Sequence, residues 1–235
     1  MLLERSKNLL FTVCAAVLFA APSATYADTF SARQNEVAEI AFNSATSYEN
    51  PYLDVMLDVT IRGADGKTLT VPAFWAGDDV WKVRFSSRAI GEHDFVTACS
   101  NSNDKGLHSQ RGKIVVQPYT GDNALLLHGP LQINDKKQIA HTDGTPFLWV
   151  ADSWWHGMTT RCKWPEDFHM LTRDRREKGF SVIQFAVGFP CDIREFDPRG
   201  ANESGFPISK DYRRINPSYF DLTDQRVQHL VDKGL

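Results

Sequence analysis

The last third of the chain alternates between strand and helix patterns, and this alternation constrains the fold more than any other feature. Residues 147–152 and 181–187 are apolar runs typical of buried strands, while residues 165–178 and the segment that starts at Pro217 have helical patterns. This order and spacing predict a parallel α/β sheet, most often a (β/α)8 barrel. A complete barrel takes about 250 residues. We therefore expect residues 147–235 to form the first two βα units of an incomplete (truncated) TIM barrel.

Polar and aromatic side chains gather where the two predicted strands end. Barrel enzymes place their chemistry at the carboxyl ends of their strands, so side chains at these positions are candidates for substrate contact. The candidates are Asp152, Trp154, Trp155, His156, Gln184 and Asp192.

Each candidate after the first strand also has a structural alternative. Asp152 either accepts a hydrogen bond from a substrate hydroxyl or caps the following turn. Only one of Trp154 and Trp155 can easily face a cavity and offer a stacking platform, and the other then packs beneath the rim. His156 donates to substrate or to Asp152, or is a structural loop histidine.

The candidates around the second strand are equally open to two interpretations. Gln184 lies inside the strand, where a polar group needs a partner, so it points either toward substrate or toward a neighbouring strand. Asp192 is either a rim residue or a turn former. It lies in a long polar loop, residues 188–217, and loops of this length are usually functional or disordered.

The first 27 residues have the pattern of a signal peptide. Arg5 and Lys7 precede an apolar run over residues 9–21, and Ala27 completes a small-residue cleavage site. The run is short for a membrane span, although an uncleaved anchor is the alternative. We expect a cleaved signal peptide over residues 1–27, a secreted or periplasmic protein, and no membrane association after cleavage.

Charge and cysteine content exclude some classes of ligand. The net charge is −3, and without a clustered basic face the chain is not expected to bind nucleic acid. Cys162 and Cys191 each follow a predicted strand and should lie at the same rim, where export permits a disulfide between them; free thiols are the alternative. No Cys/His spacing suggests a metal site, and nothing requires an organic cofactor.

The region before the barrel pattern consists of short strands separated by turn residues. Val55, Leu57, Val59 and Ile61 alternate with more polar residues, as expected for a half-buried antiparallel strand. Six such strands predict an immunoglobulin-like β-sandwich over residues 28–120, followed by a linker and β-hairpin over residues 121–146. The chain is thus expected to be multidomain. The predicted strands are residues 35–42, 54–62, 69–74, 80–85, 93–99 and 113–117.

Short motifs in this order resemble a known group of secreted proteins. Residues 48–52 (YENPY), 71–75 (VPAFW) and 91–95 (GEHDF) resemble the N-terminal immunoglobulin-like domain of secreted glycoside hydrolases. Residues 143–152 (DGTPFLWVAD) and 216–221 (NPSYFD) look like the start of the apiosidase-like barrel that is joined to it.

The resemblance implies hydrolysis of a glycosidic bond in a poly- or oligosaccharide by two carboxylic acids. In related barrels these acids follow later strands, so no catalytic residue can be assigned here. We therefore expect an N-terminal fragment that is inactive alone. One alternative is a non-catalytic carbohydrate-binding or spacer protein built on the sandwich, and another is a gene fragment without function.

Overall fold

The computed structural model of the protein describes residues 28–235, which begin with a β-structure of two sheets. The predicted signal peptide, residues 1–27, lies outside the described residues. One sheet has the strand order β1-β8-β7-β3-β4 and the other β2-β6-β5. Their elements are β1 (Asp28–Arg33), β2 (Val37–Asn43), the short helix α1 (Pro51–Asp54), β3 (Leu57–Arg62), β4 (Thr68–Pro72), β5 (Phe74–Gly77), β6 (Val80–Ser86), β7 (Gly91–Cys99) and β8 (Arg111–Gln117).

The two sheets enclose one apolar core. Val59 of β3 packs in the same cluster as Ile40 of β2 and Val83 of β6, and all three side chains are fully buried. The predicted alternation is confirmed: Val55, Leu57, Val59 and Ile61 are buried, and Met56 between them is exposed. A two-layer sandwich is therefore present, and its immunoglobulin-like class stays a prediction.

The second part of the chain consists of small sheets and two longer helices. The hairpin of β9 (Leu131–Ile133) and β10 (Ile139–His141) is antiparallel, as predicted. The remaining strands, β11 (Ala151–Trp154) and β12 (Val182–Phe185), pair in parallel. The helices are α2 (Ala124–His128), α3 (Glu166–Glu177) and α4 (Pro217–Asp232), with a short 3-10 helix at Pro198–Gly200.

The expected incomplete TIM barrel is wrong. Residues 28–235 are mostly β-sheet with few helices, and they contain no closed barrel. β11 and β12 pair only with each other, and β11 begins four residues later than predicted. Local periodicity predicts a strand–helix–strand unit, but closure depends on pairing between strands that are distant in sequence. For this reason the sequence pattern predicted the elements correctly and their assembly incorrectly.

Helices α3 and α4 cover one face of the β11–β12 sheet. Trp154 of β11 contacts Phe168 of α3 edge to face with 5.4 Å between ring centroids, and Leu230 of α4 joins the same cluster. Arg84 of β6 donates to Asp224 of α4 through both terminal nitrogens, at 3.1 and 2.5 Å. The sandwich is thereby linked to α4.

Within the described part of the chain, no helix has both the length and the apolar character that a membrane crossing requires.

Two histidines stack where α3 meets α4, and we expect them to make folding sensitive to acid. The rings of His169 and His229 lie 3.8 Å apart and nearly parallel. Burial, followed by the charge of His169, lowers the pKa of His229. The unfolded chain therefore binds the proton first, and the stabilisation present above the ordinary pKa of 6.5 is lost as the pH falls toward the folded value. We predict a smaller fall in the free energy of unfolding between pH 7 and pH 5 for His229→Phe than for the wild type, measured by urea titration.

Asp197→Asn is the control for this experiment and should keep the wild-type slope. Hydrogen bonds from the Arg199 side chain and then from its backbone lower the pKa of Asp197 to about 2. The stabilisation from this carboxylate is present above pH 4 and is lost only as the pH falls toward 2. Equal slopes for the wild type and His229→Phe between pH 7 and pH 5 would contradict the assignment to the stacked pair.

Candidate functional site

The ends of β11 and β12 bring several of the predicted residues to one place. Because side chains alternate along a strand, Asp152 and Trp154 point toward α3 while Ser153 points to the opposite, exposed face. Ser153 is directly opposite Gln184 in the parallel register. The strands therefore separate the candidates into a buried set and an exposed set.

Asp152 belongs to the buried set and is occupied by protein donors. Its carboxylate accepts hydrogen bonds from Arg175 Nε at 2.5 Å, from Trp154 Nε1 at 2.8 Å and from the Ser153 backbone at 2.9 Å. The hydrogen bond from Arg175 is the main cause that lowers the pKa of Asp152. These contacts favour the structural alternative, in which Asp152 orders the turn after β11 and fixes α3 against the sheet.

The two adjacent tryptophans have different environments. Trp154 is buried against Phe168 and forms part of the core. Trp155 is 51% exposed and lies beyond the end of β11. Trp155 is thus the tryptophan that is available for stacking on a ligand.

His156 links the turn after β11 to the loop after β12. Its Nε2 lies 3.0 Å from Asp192 Oδ2 and 2.7 Å from Arg161 Nη1. A neutral imidazole nitrogen either donates or accepts, so Nε2 satisfies Asp192 or Arg161 but not both at once. Nδ1 of the same ring is buried and has no partner within residues 28–235. Asp192 and Arg161 are therefore alternative hydrogen-bond partners of His156 Nε2.

The exposed set has acceptors and donors directed to solvent. The pKa of Asp192 is lowered, mainly by the hydrogen bond from His156. This exposed carboxylate is therefore charged at neutral pH. Gln184 is exposed and accepts a bond from Ser153 Oγ at 3.3 Å, so its amide nitrogen remains available as a donor. We call Trp155, His156, Gln184 and Asp192, together with Arg161, the strand-end cluster.

Sequence reasoning missed Arg161 and Ser153. The alternation within β11 marks Ser153 as the neighbour of Gln184 once the parallel register is known. Arg161 has no such signal, because it lies in an irregular segment that the turn after β11 brings back to His156.

The loop beside the cluster is held in place by buried polar contacts with α4. The hydroxyl of Tyr219 accepts from the Gly188 backbone at 3.0 Å, and the Asn202 side chain donates to the Tyr219 carbonyl at 3.0 Å. Arg226 is 1% exposed and donates to both oxygens of Glu203 at 2.8 and 3.0 Å. Arg226 is therefore an internal anchor for the loop.

The expected disulfide is absent from the structure. Cys162 and Cys191 are both free, as is Cys99, the other cysteine of the described residues. Cys162 is buried in the cluster around Trp154 and Phe168, whereas Cys191 is exposed in the loop after β12. Because each cysteine follows a predicted strand, the sequence placed both at one rim of the sheet. In the structure the Cys162 side chain points into the core, and the Cys191 side chain is exposed.

Within residues 28–235, no group of three or more His, Cys, Asp or Glu side chains is placed to hold a metal ion.

Comparisons with known proteins agree with this division of the chain. Residues 134–235 match the family model "Apiosidase-like, catalytic domain", and residues 31–100 match a domain of unknown function. A crystal structure described as a "putative glycoside hydrolase" from Bacteroides vulgatus ATCC 8482 is similar, with a TM-score of 0.66 and 18% identity over 88% of this chain. This chain spans 40% of the length of that structure. No curated protein matches.

These matches support a glycoside hydrolase-like protein. At 18% identity the structural match shows the fold alone. The family model covers less than half of the chain, and it relates the part that contains the strand-end cluster to apiosidase-like catalytic domains.

The ion pair of the buried Arg226 with Glu203, whose side chain is 40% exposed, gives a stability prediction. Glu203→Gln leaves the buried guanidinium without its anion, and water that reaches Glu203 keeps the penalty below that of a fully buried pair. We expect a loss of about 1 to 2 kcal/mol in the free energy of unfolding, measured by urea titration.

Glu195→Gln is the matched control, because Glu195 lies in the same loop and contacts Tyr212 at the surface. We expect it to change stability by less than about 0.5 kcal/mol. The double variant Glu203→Gln with Arg226→Met should recover part of the loss. Equal stability of Glu203→Gln and the wild type would show that the pair does not anchor the loop.

Proposed function

We propose that the protein takes part in the hydrolysis of glycosidic bonds in poly- or oligosaccharides, and that the strand-end cluster contacts the saccharide. The observation that carries this proposal is the exposed Trp155 at the end of β11, followed in the chain by His156, which contacts Asp192, in the region that matches an apiosidase-like catalytic domain. Such a cluster offers an aromatic face for the apolar side of a sugar ring and hydrogen-bonding groups for its hydroxyls.

Each member of the cluster has a distinct part in binding. Trp155 presents its ring to the apolar face of a sugar, and such aromatic contacts contribute about 1 kcal/mol beyond area burial. Asp192 accepts from a sugar hydroxyl, and Gln184 both accepts and donates.

The proposed role of these residues is binding. Glycoside hydrolysis requires two carboxyl groups about 5 to 10 Å apart across the scissile bond. Asp152 does not fill this role, because Arg175 and Trp154 occupy its carboxylate. We assign no catalytic pair to this chain, and its inactivity in isolation stays a prediction.

Export is part of the proposal. The pattern of residues 1–27 supports a secreted or periplasmic location, where polysaccharide substrates are accessible to a bacterial hydrolase.

Trp155→Ala and Asp192→Asn test the binding role of the cluster. We expect each to weaken binding of soluble plant and bacterial polysaccharides by about tenfold, since the loss of one stacked ring or one charge-assisted hydrogen bond costs about 1 to 2 kcal/mol. Affinity gel electrophoresis with a panel of such polysaccharides identifies a binder, and titration calorimetry with its oligosaccharides gives the dissociation constant.

Trp149→Ala is the matched control for Trp155→Ala. Trp149 is 54% exposed, close to the 51% of Trp155, but it precedes β11 instead of following it. The control variant should bind as the wild type does. If Trp155→Ala and Asp192→Asn keep wild-type affinity for every polysaccharide that the wild type binds, the strand-end cluster is not the saccharide site.

A further inference from the structure

A cavity lies away from the strand-end cluster, between the sandwich and α4. It has a volume of about 510 Å³ and shares no lining residue with the cluster. This volume falls within the range of about 300 to 1,000 Å³ that is usual for small-molecule sites. Its aromatic lining comes from Tyr52 of α1, Phe74 and Trp75 of β5, and Phe220 of α4. We call this cavity the junction groove.

Two aromatic rings of the junction groove, those of Phe74 and Trp75, are held in place before any ligand arrives. The guanidinium of Arg84 lies 4.9 Å from the centre of the Phe74 ring. Arg84 is itself held by Glu39 at 2.9 Å and by Asp224. The indole nitrogen of Trp75 donates to the Asp78 carbonyl at 2.9 Å. Rings that are already oriented lose little conformational entropy on binding, which favours affinity.

Unpaired carboxylates border the same rings. Asp58 of β3 and Asp221 of α4 line the groove, and neither side chain has a hydrogen bond or ion pair within residues 28–235. The cation of the groove, Arg84, is already neutralised by Glu39 and Asp224. Charge complementarity therefore disfavours an anion, and the available groups are hydrogen-bond acceptors beside apolar ring faces.

One buried donor at the groove is also without a partner. Trp81 lines the groove and is 3% exposed, and its indole N–H has no acceptor in the described part of the chain. Trp81 also lines a neighbouring cavity beside Ser44 and Tyr48, and its indole nitrogen is inaccessible from both, so this donor does not by itself indicate a ligand in the groove.

We propose that the junction groove is a second saccharide-binding site, which takes a neutral oligosaccharide segment. This inference rests on the proposed function for its choice of ligand class. Sugar hydroxyls donate to Asp58 and Asp221, while the apolar face of a pyranose ring packs on Tyr52 and Phe74. A neutral sugar uses the acceptors and the ring faces together, whereas an apolar molecule would leave both carboxylates unused.

The test uses the full chain and neutral trisaccharides as probes. Cellotriose, xylotriose and mannotriose are titrated separately while the indole N–H signal of Trp75 is followed by NMR, with Trp75→Phe identifying that signal. We expect at least one trisaccharide to shift the signal in a saturable manner. Tyr52→Ala and Asp221→Asn should raise the dissociation constant read from this signal by fivefold or more.

Leu53→Ala is the matched control for Tyr52→Ala. Leu53 neighbours Tyr52 on α1 and is 53% exposed, but it does not line the groove. This variant should titrate as the wild type does. Thermal unfolding of each variant separates loss of binding from loss of folding, and Asp221→Asn remains a test if Tyr52→Ala unfolds.

The remaining outcomes separate this proposal from the strand-end site. Trp155→Ala should leave the Trp75 titration unchanged. If Trp155→Ala removes all trisaccharide binding and the groove variants remove none, the junction groove is not a saccharide site while the proposed function stands. A Trp75 signal that does not respond to any trisaccharide, or that responds only to tetramethylammonium ions or to an apolar dye, would also overturn the proposal.

Discussion

A sheet of two parallel strands is not stable alone, and the second half of this molecule depends on what covers it. The contact that meets this need is the packing of Trp154 on Phe168, directly below the ion pair of Asp152 with Arg175. The apolar contact removes one face of the sheet from water, and the ion pair fixes the angle of α3 against it. Two side chains that follow each other on the same face of β11 therefore hold both the strand and the helix.

This packing also decides which side chains are presented to ligands. With Asp152 and Trp154 directed inward, the alternation of a strand directs Ser153 outward, and Trp155 follows on the exposed side. His156 then lies near the start of the loop after β12, where it meets Asp192. The composition of the strand-end cluster is thus a consequence of the core beneath it. A shift of one residue in the register would exchange the two tryptophans and bury the aromatic platform.

Much of the fold was predictable because it depends on local pattern. The alternation around Val59, the hairpin of β9 and β10, and the parallel pairing of β11 with β12 all follow from periodicity and turn residues. The incomplete TIM barrel was wrong, because a barrel depends on pairing between strands that are distant in sequence and β11 and β12 pair only with each other. The disulfide was wrong because the direction of the Cys162 side chain depends on the core around Phe168. Within the site, position predicted Trp155, His156 and Asp192 as neighbours, but no local signal shows that Glu203 buries Arg226.

Helix α4 makes different contacts on its two sides, and this explains its mixed composition. On one side its first turns border the junction groove through Phe220 and Asp221, and Asp224 ties it to the sandwich. On the other side Tyr219 and Arg226 hold the loop that carries Asp192. Because both sets of contacts lie on one rigid helix, the loop cannot change its position relative to α4 without breaking buried hydrogen bonds. The distance between the two proposed saccharide surfaces is therefore set by the helix, and a long glycan chain that engaged both would meet a fixed spacing.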